Sequence, residues 1–234
     1  MNKKYIYQHL GLGDHIVCNG LIREIAKKET TTLFIVLCKN IYKDSVTALF
    51  KDIVNICIQS VPSDDYVRSI LARDIRAEDF IKIGHFIYNN IPKNLGWDEY
   101  FYQQHNIDFK KRWESFYVER NRQREDELFT KLNNKNEPYI LIHGVGSNNV
   151  DRLNYSKIPL DIKHIHITPL HTSNIVDYYS LIEQAKEIHC IDSFFHHLVD
   201  SIECSAALFY HDKHDLQQPR NIIPHRISKS WILV

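Results

Sequence analysis

The sequence has no excess of charge of either sign, because its 234 residues contain 29 Lys and Arg against 29 Asp and Glu. Nucleic-acid-binding modules usually carry a clear basic excess, since phosphate neutralisation supplies most of their affinity. The balance therefore disfavours nucleic acid as a partner. The hydrophobic fraction of 44% and the charged fraction of 25% instead match a folded, soluble protein.

Zinc and disulfide patterns are also missing. The five cysteines form no CxxC pair and most lie inside apolar runs, so we expect reduced, buried thiols. The first residues lack the apolar core of a signal peptide, and no apolar run reaches the roughly 20 residues that span a bilayer. These absences predict a cytoplasmic protein without a transmembrane segment, a pattern that still allows peripheral contact with a membrane.

Several catalytic signatures are absent as well, namely GxSxG, HExxH and GxxxxGK[ST]. The dinucleotide fingerprint fails because Gly11–Gly13 would need a third glycine where Ile16 stands. An oxidoreductase is therefore disfavoured, and no cofactor is expected. The histidine groups at 164–166 and 211–215 lack a distant partner pair at zinc spacing, so no metal site is expected either.

What the chain does contain is a series of short apolar runs typical of buried strands. Segments with helical periodicity lie between many of them, as at 16–28 and 174–186. This alternation predicts α/β architecture with parallel sheets. The predicted strands are Tyr5–His9, Leu33–Leu37, Asn55–Ile58, Phe80–Ile83, Tyr139–His143, His164–Ile167, Glu187–Ile191 and Ala206–Tyr210.

A polar stretch at 133–138, ending in a proline, predicts a domain boundary. Both halves open with an apolar strand followed by a glycine-containing loop, at 11–14 and 144–147. The pattern predicts two small Rossmann-like domains, residues 1–135 and 136–234, with the carboxyl ends of their strands lining a cleft.

The first loop offers a carboxylate beside two glycines. Gly11 and Gly13 allow a tight turn and close approach of a ligand to the backbone. Asp14 follows, where the predicted helix 16–28 should begin. Its side chain could cap that helix or serve in catalysis, and the two roles can coexist.

Two loops in the second half are suited to binding anions. Asp192 and Ser193 end a strand and precede a segment with His197, so a hydroxyl and free backbone N–H groups would meet at a helix N-terminus. Earlier, His143 ends a strand and leads into Gly146, Ser147 and, further on, Arg152. Backbone donors and a guanidinium suit phosphate oxygens, although capping and an ordinary turn explain the same residues.

Taken in order, these motifs resemble those of the heptosyltransferase-like glycosyltransferases, a family with the GT-B fold. The matching residues are Gly13-Asp14, then Gly146-Ser147 with Arg152, then Asp192-Ser193-Phe194-Phe195-His196-His197-Leu198. Phe194 stands where the family usually has glycine, and both domains are shorter than is usual there.

The resemblance implies transfer of a sugar from a nucleotide-diphosphate donor to a hydroxyl of a glycan, lipid-linked or protein acceptor, with inversion and without a metal ion. Asp14 would be the general base. The leaving diphosphate would be stabilised by Ser147, Arg152, Ser193 and His197, with Asp192 orienting its loop. Gly11, Gly13, His143 and Gly146 would complete the substrate- and nucleotide-sugar-binding residues. An inactive nucleotide- or sugar-binding module, and an epimerase or hydrolase of the same fold, remain as alternatives.

Overall fold

The structure, a computed structural model, describes residues 2–85, 95–146, 153–211 and 227–234. The chain divides into two compact units, Met1–Glu119 and Arg120–Val234. The division lies before the predicted boundary at 133–138 because a helix at 122–132 belongs to the second unit. Arg124 of that helix donates to Asp177 at 2.8 Å, within the second unit.

Unit 1 is built on a parallel sheet of four strands in the order β3-β2-β1-β4. Its strands are β1 (Asn2–Gln8), β2 (Thr32–Lys39), β3 (Ile56–Val61) and β4 (Phe80–Ile83). Its helices are α1 (Leu12–Val17), α2 (Asn19–Lys28), α3 (Lys43–Phe50), α4 (Asp64–Tyr66), α5 (Ala72–Asp74), α6 (Trp97–Gln103) and α7 (Lys111–Glu114). Strand β2 is almost continuously apolar because helices cover both faces of a parallel sheet, whereas β1 is buried only from Ile6 to Gln8.

Unit 2 carries a parallel sheet of five strands in the order β6-β5-β7-β8-β9. Its strands are β5 (Tyr139–His143), β6 (Lys163–His166), β7 (Glu187–Cys190), β8 (Ala207–Tyr210) and β9 (Trp231–Leu233). Its helices are α8 (Arg122–Leu132), α9 (Tyr179–Gln184) and α10 (Phe194–Ser201). On one sheet face, Leu153 and Ile158 pack on apolar side chains of β5.

All eight predicted strands are present, with ends that differ by a few residues. The ninth, β9, escaped prediction because three apolar residues give too short a pattern. The helix predicted at 16–28 begins earlier, at Leu12, and is divided at Cys18. The one predicted at 174–186 is a 3-10 turn, Ile175–Tyr178, followed by α9.

The aromatic segment after Trp97 packs within unit 1. Tyr102 is fully buried and its hydroxyl donates to the carbonyl of Val17 at 2.7 Å. Arg112 and Asp98, each with a side chain 1% exposed, form an ion pair of 2.5 Å. These contacts make most of the segment a structural layer against the first helices. No helix in the described parts of the chain has the length and apolar character needed to cross a membrane.

Candidate functional site

Each sheet has one place where the strand order reverses direction. In unit 1 it lies between β1 and β4, and in unit 2 between β5 and β7. In open α/β sheets, ligands bind outside the carboxyl ends of the strands at this switch point, because the connections diverge to opposite faces and leave a crevice. The two switch points are therefore the first places to look for a site.

The turn after β1 is strained. Leu10 has a φ of 43°, in the left-handed region that costs a residue other than glycine about 1–3 kcal/mol. Its side chain is fully buried with Tyr7 and Leu37, which holds the turn in place. A Cβ at Gly11 would collide with a carboxylate oxygen of Asp14, so the missing side chain is what lets the carboxylate lie over the turn.

Asp14 lies in the first turn of α1, and Gly11, not Asp14, is the residue at the N-cap. Gly13 is helical too. Burial raises the pKa of Asp14 to about 6, while the nearby His9 imidazole opposes the shift. A carboxylate with this pKa is ionised at neutral pH and holds a proton more tightly than an exposed aspartate, which suits a general base.

Sequence reasoning missed three further ionisable groups at this end of the sheet. His9 follows β1, Lys39 ends β2 and Asp64 begins α4 after β3. Lys39 pairs with Asp64 at 3.1 Å, and the Tyr7 hydroxyl donates to the other oxygen of Asp64 at 3.1 Å. The rule that parallel strands end at one edge could have grouped them, because each lies within three residues of a strand end.

His9 bridges the switch point of unit 1. Its Nε2 lies 2.8 Å from the carbonyl oxygen of Gly84, beyond β4. A carbonyl only accepts, so Nε2 carries the hydrogen. The ring stacks on His85, with centroids 4.3 Å apart. Gly84 has a φ of 77°, a backbone conformation that favours glycine.

The switch point of unit 2 is also bridged by a histidine. His143 ends β5, and its Nδ1 lies 3.0 Å from the hydroxyl oxygen of Ser193, at the start of α10. His143 is 6% exposed, and burial lowers its pKa to about 4, so the imidazole is neutral at physiological pH. The structure thus joins two residues that the sequence placed in separate loops.

The remaining predicted residues of unit 2 fall into three groups. Asp192 is half-buried beside Ser193, and His197 lies buried in the first turn of α10. Gly146 follows β5 and is half-buried. Ser147 and Arg152 lie outside the described residues.

Asp192, His196 and His197 each place a possible metal-ligand atom within 4.8 Å of the others. Two ligands of one tetrahedral zinc ion lie about 3.4 Å apart, given metal–ligand distances near 2.0–2.1 Å. Here His197 Nε2 and Asp192 Oδ1 are 3.8 Å apart. The His196 ring also packs edge-on against Tyr210 and Trp231. The group is wider than a formed zinc site, so metal independence stays a prediction.

A buried chain of hydrogen bonds, which no sequence pattern indicated, runs across one face of the second sheet. The His211 Nδ1 accepts from the backbone N–H of Asn154 at 3.0 Å, so its Nε2 carries the hydrogen and donates to His189 at 2.9 Å. His189 then donates to Glu187 at 3.1 Å. Each donor has one acceptor, and both rings are therefore neutral in fixed tautomers.

The solved structures that match this chain include two that cover its whole length. One is described as "Structure of E. coli ADP-heptose lps heptosyltransferase II", with 9% identity, a TM-score of 0.56, and coverage of 100% of this chain and 90% of that one. The other is a glycosyl transferase family 9 protein from Veillonella parvula DSM 2008, with 10% identity, a TM-score of 0.60, and coverage of 100% and 86%. No family model and no curated protein matches the sequence.

At these identities the likeness establishes the fold. The prediction of an α/β chain with two parallel sheets of GT-B-like type is confirmed, as is the structural resemblance to heptosyltransferases. The roles of individual residues rest on the chemistry of the two switch points.

Proposed function

We propose that the protein is a glycosyltransferase that moves a sugar from a nucleotide-diphosphate donor to a hydroxyl acceptor. The observation that carries the proposal is the pairing of this fold with opposite chemistry at the two switch points. Unit 1 offers a carboxylate with a raised pKa, and unit 2 offers neutral hydrogen-bond donors at a helix N-terminus. Glycosyl transfer needs a proton acceptor for one substrate and an anion site for the other.

Unit 1 would activate the acceptor. The acceptor hydroxyl gives its proton to the Asp14 carboxylate while its oxygen forms a bond to the anomeric carbon of the donor sugar. The turn at Leu10 and Gly11 keeps the carboxylate at the end of β1, where the strand order leaves a crevice. Charge at His9 and Asp64 would tune its proton affinity.

Unit 2 would stabilise the leaving diphosphate. As the bond from the anomeric carbon to the phosphate oxygen breaks, its electron pair stays on the diphosphate. The N-terminus of α10 and the Ser193 hydroxyl would meet that charge, assisted by His197, Gly146 and the predicted contacts of Ser147 and Arg152. Asp192 would orient the loop, since a carboxylate repels phosphate.

Attack on the face opposite the leaving group gives inversion at the anomeric carbon, and the donors of unit 2 take the place of a metal ion. Inversion, metal independence, the role of Asp14 and a cytoplasmic location all belong to this proposal. The acceptor is a hydroxyl on a glycan, a lipid-linked sugar or a protein.

The first test is a thermal-shift screen against nucleoside diphosphates and their sugar conjugates, because a ligand that binds the folded state raises its melting temperature. We expect stabilisation by one nucleoside diphosphate, with sugar phosphates lacking the nucleoside as a control. Incubation of that donor with candidate acceptors, followed by mass spectrometry, then identifies the product. Failure of every nucleoside diphosphate to stabilise the protein would contradict the proposal.

One observation favours a second candidate, an inactive nucleotide- or sugar-binding module. Phe194 stands directly after Ser193, and its ring packs edge-on against His143 with centroids 4.8 Å apart. The Phe194 side chain reduces the room at the start of α10. Binding of donor without transfer or hydrolysis would favour this candidate, whereas conversion without an acceptor would indicate an epimerase or hydrolase.

A further inference from the structure

We infer that His143 is a positioning residue that acts through Ser193: it donates its Nδ1 hydrogen to the Ser193 oxygen when a nucleoside diphosphate binds, so that the hydroxyl hydrogen points to a phosphate. The inference rests on the proposed function and deepens it, because His143 was expected to touch the ligand itself.

The packing of His143 argues against direct contact with a ligand. The residue is 6% exposed and ends the strand at the switch point. Its ring lies against Phe194 and Phe195, with centroid distances of 4.8 and 5.6 Å. The two phenylalanine rings fix the orientation of the imidazole, and its Nδ1 lies within hydrogen-bond distance of the Ser193 hydroxyl oxygen.

Ser193 occupies an unusual position for a serine at the start of a helix. It is the N-cap residue of α10, with extended backbone (φ −164°, ψ 172°), and such a serine usually accepts from an N–H of the first turn. Here its side chain makes no capping hydrogen bond. The hydroxyl is held by His143 instead and is half-buried at the edge of the sheet.

The direction of this hydrogen bond decides whether Ser193 can bind phosphate. A hydroxyl has one hydrogen, so a Ser193 that donates to His143 can offer a phosphate oxygen only lone pairs. With the hydrogen on Nδ1, His143 donates and the Ser193 hydrogen is free for the ligand. Both arrangements use a neutral imidazole, and burial, which lowers the pKa of His143 to about 4, keeps it neutral. Binding of the nucleoside diphosphate therefore selects the His143 tautomer that carries its hydrogen on Nδ1.

The test measures the dissociation constant of the nucleoside diphosphate, taken from ADP, GDP, UDP and CDP, by calorimetry. We expect Ser193→Ala to weaken binding about tenfold and His143→Phe, which keeps a packed ring, about three- to tenfold. The double variant should bind within about twofold of Ser193→Ala, because a residue that acts through Ser193 has nothing further to lose. His143→Asn, whose amide can donate from a similar position, should restore most of the affinity.

The matched control is His166→Phe, which removes an exposed histidine at the end of the neighbouring strand β6 and should leave affinity unchanged. A second readout needs no variant. The ¹⁵N chemical shifts of His143 should show Nδ1 protonated in the complex with the nucleoside diphosphate.

The outcomes separate the inference from the function it rests on. Additive losses in the double variant, or an unprotonated Nδ1 in the complex, would overturn the role of His143 while leaving the nucleotide site in place. Wild-type protein that binds none of the four nucleoside diphosphates would overturn both.

Discussion

The two units have the same topology at their switch points but different hydrogen bonds there. At each switch point a histidine at or just after the end of a central strand reaches across the crevice, His9 to the Gly84 carbonyl in unit 1 and His143 to the Ser193 hydroxyl in unit 2. A carbonyl can only accept, so the position of the hydrogen on His9 is fixed. A hydroxyl can donate or accept, so the hydrogen of the neutral His143 ring can be on either nitrogen.

The residues around the two switch points differ as well. Unit 1 places ionisable groups at its strand ends, with Asp14 raised to a pKa of about 6 by burial. Unit 2 keeps His143 neutral and adds a helix N-terminus. One edge is suited to accepting a proton and the other to holding an anion. Similar sheets acquire different chemistry from the few residues beyond their strands.

The substitution Asp14→Asn tests whether the proton acceptor belongs to unit 1 alone. If unit 1 supplies only the proton acceptor, turnover should fall about 10²-fold or more, with the dissociation constant of the nucleoside diphosphate unchanged. Steady-state kinetics and calorimetry on the same preparation check the two halves of the statement. Full turnover in this variant would remove Asp14 from the mechanism.

A second test concerns the hydrogen bonds that link His211 and His189 in unit 2. His211→Phe leaves His189 Nδ1 and the Asn154 N–H without their partner inside the protein. We expect a loss of about 1–3 kcal/mol in the free energy of unfolding, measured by urea denaturation. The matched control is His171→Phe, at a half-buried site with its ring nitrogen near the Tyr178 hydroxyl, where a smaller loss is expected. Equal losses in the two variants would mean that the hydrogen bonds of His211 stabilise the protein no more than the single contact of His171.

The pH dependence of the wild-type protein should distinguish Asp14 from His143. Asp14 accepts a proton only when ionised, so kcat/KM should fall about tenfold per pH unit as the pH drops below about 6. The neutral form of His143 persists down to about pH 4, so it contributes nothing to this limb. The limb should be absent from any residual activity of Asp14→Asn, and its persistence there would assign it to another group.

The raised pKa of Asp14 should also affect the stability of the protein. The folded-state pKa of Asp14 lies above the value of about 3.9 for an unfolded chain, so ionisation of this group costs stability above about pH 6 and costs nothing below about pH 4. Asp14→Asn should therefore raise the melting temperature of the protein by about 6 °C at pH 8 and leave it unchanged at pH 3.5. Calorimetry at the two pH values checks this, and a lower melting temperature at pH 8 would contradict it.

The strands and the loops that follow them could be predicted from the sequence. Apolar runs alternating with helical periodicity are enough to place eight strands, because a parallel sheet covered on both faces needs almost wholly apolar strands. The loops that follow Gln8, His143 and Cys190 were identified as candidate sites, because glycines and capping residues mark the points where strands end. Asp14 and Ser193 were found in this way.

Which of these residues act together depends on how the chain folds in three dimensions. Sequence spacing does not show which strands are neighbours, so the pairing of His143 with Ser193, 50 residues apart, and of His9 with Gly84, 75 apart, could not be predicted. Burial, too, depends on the whole fold, and burial is what raises the proton affinity of Asp14 and keeps His143 neutral. Local patterns fix where a strand ends, whereas proton affinity and hydrogen-bond partners depend on what the rest of the chain packs around that end.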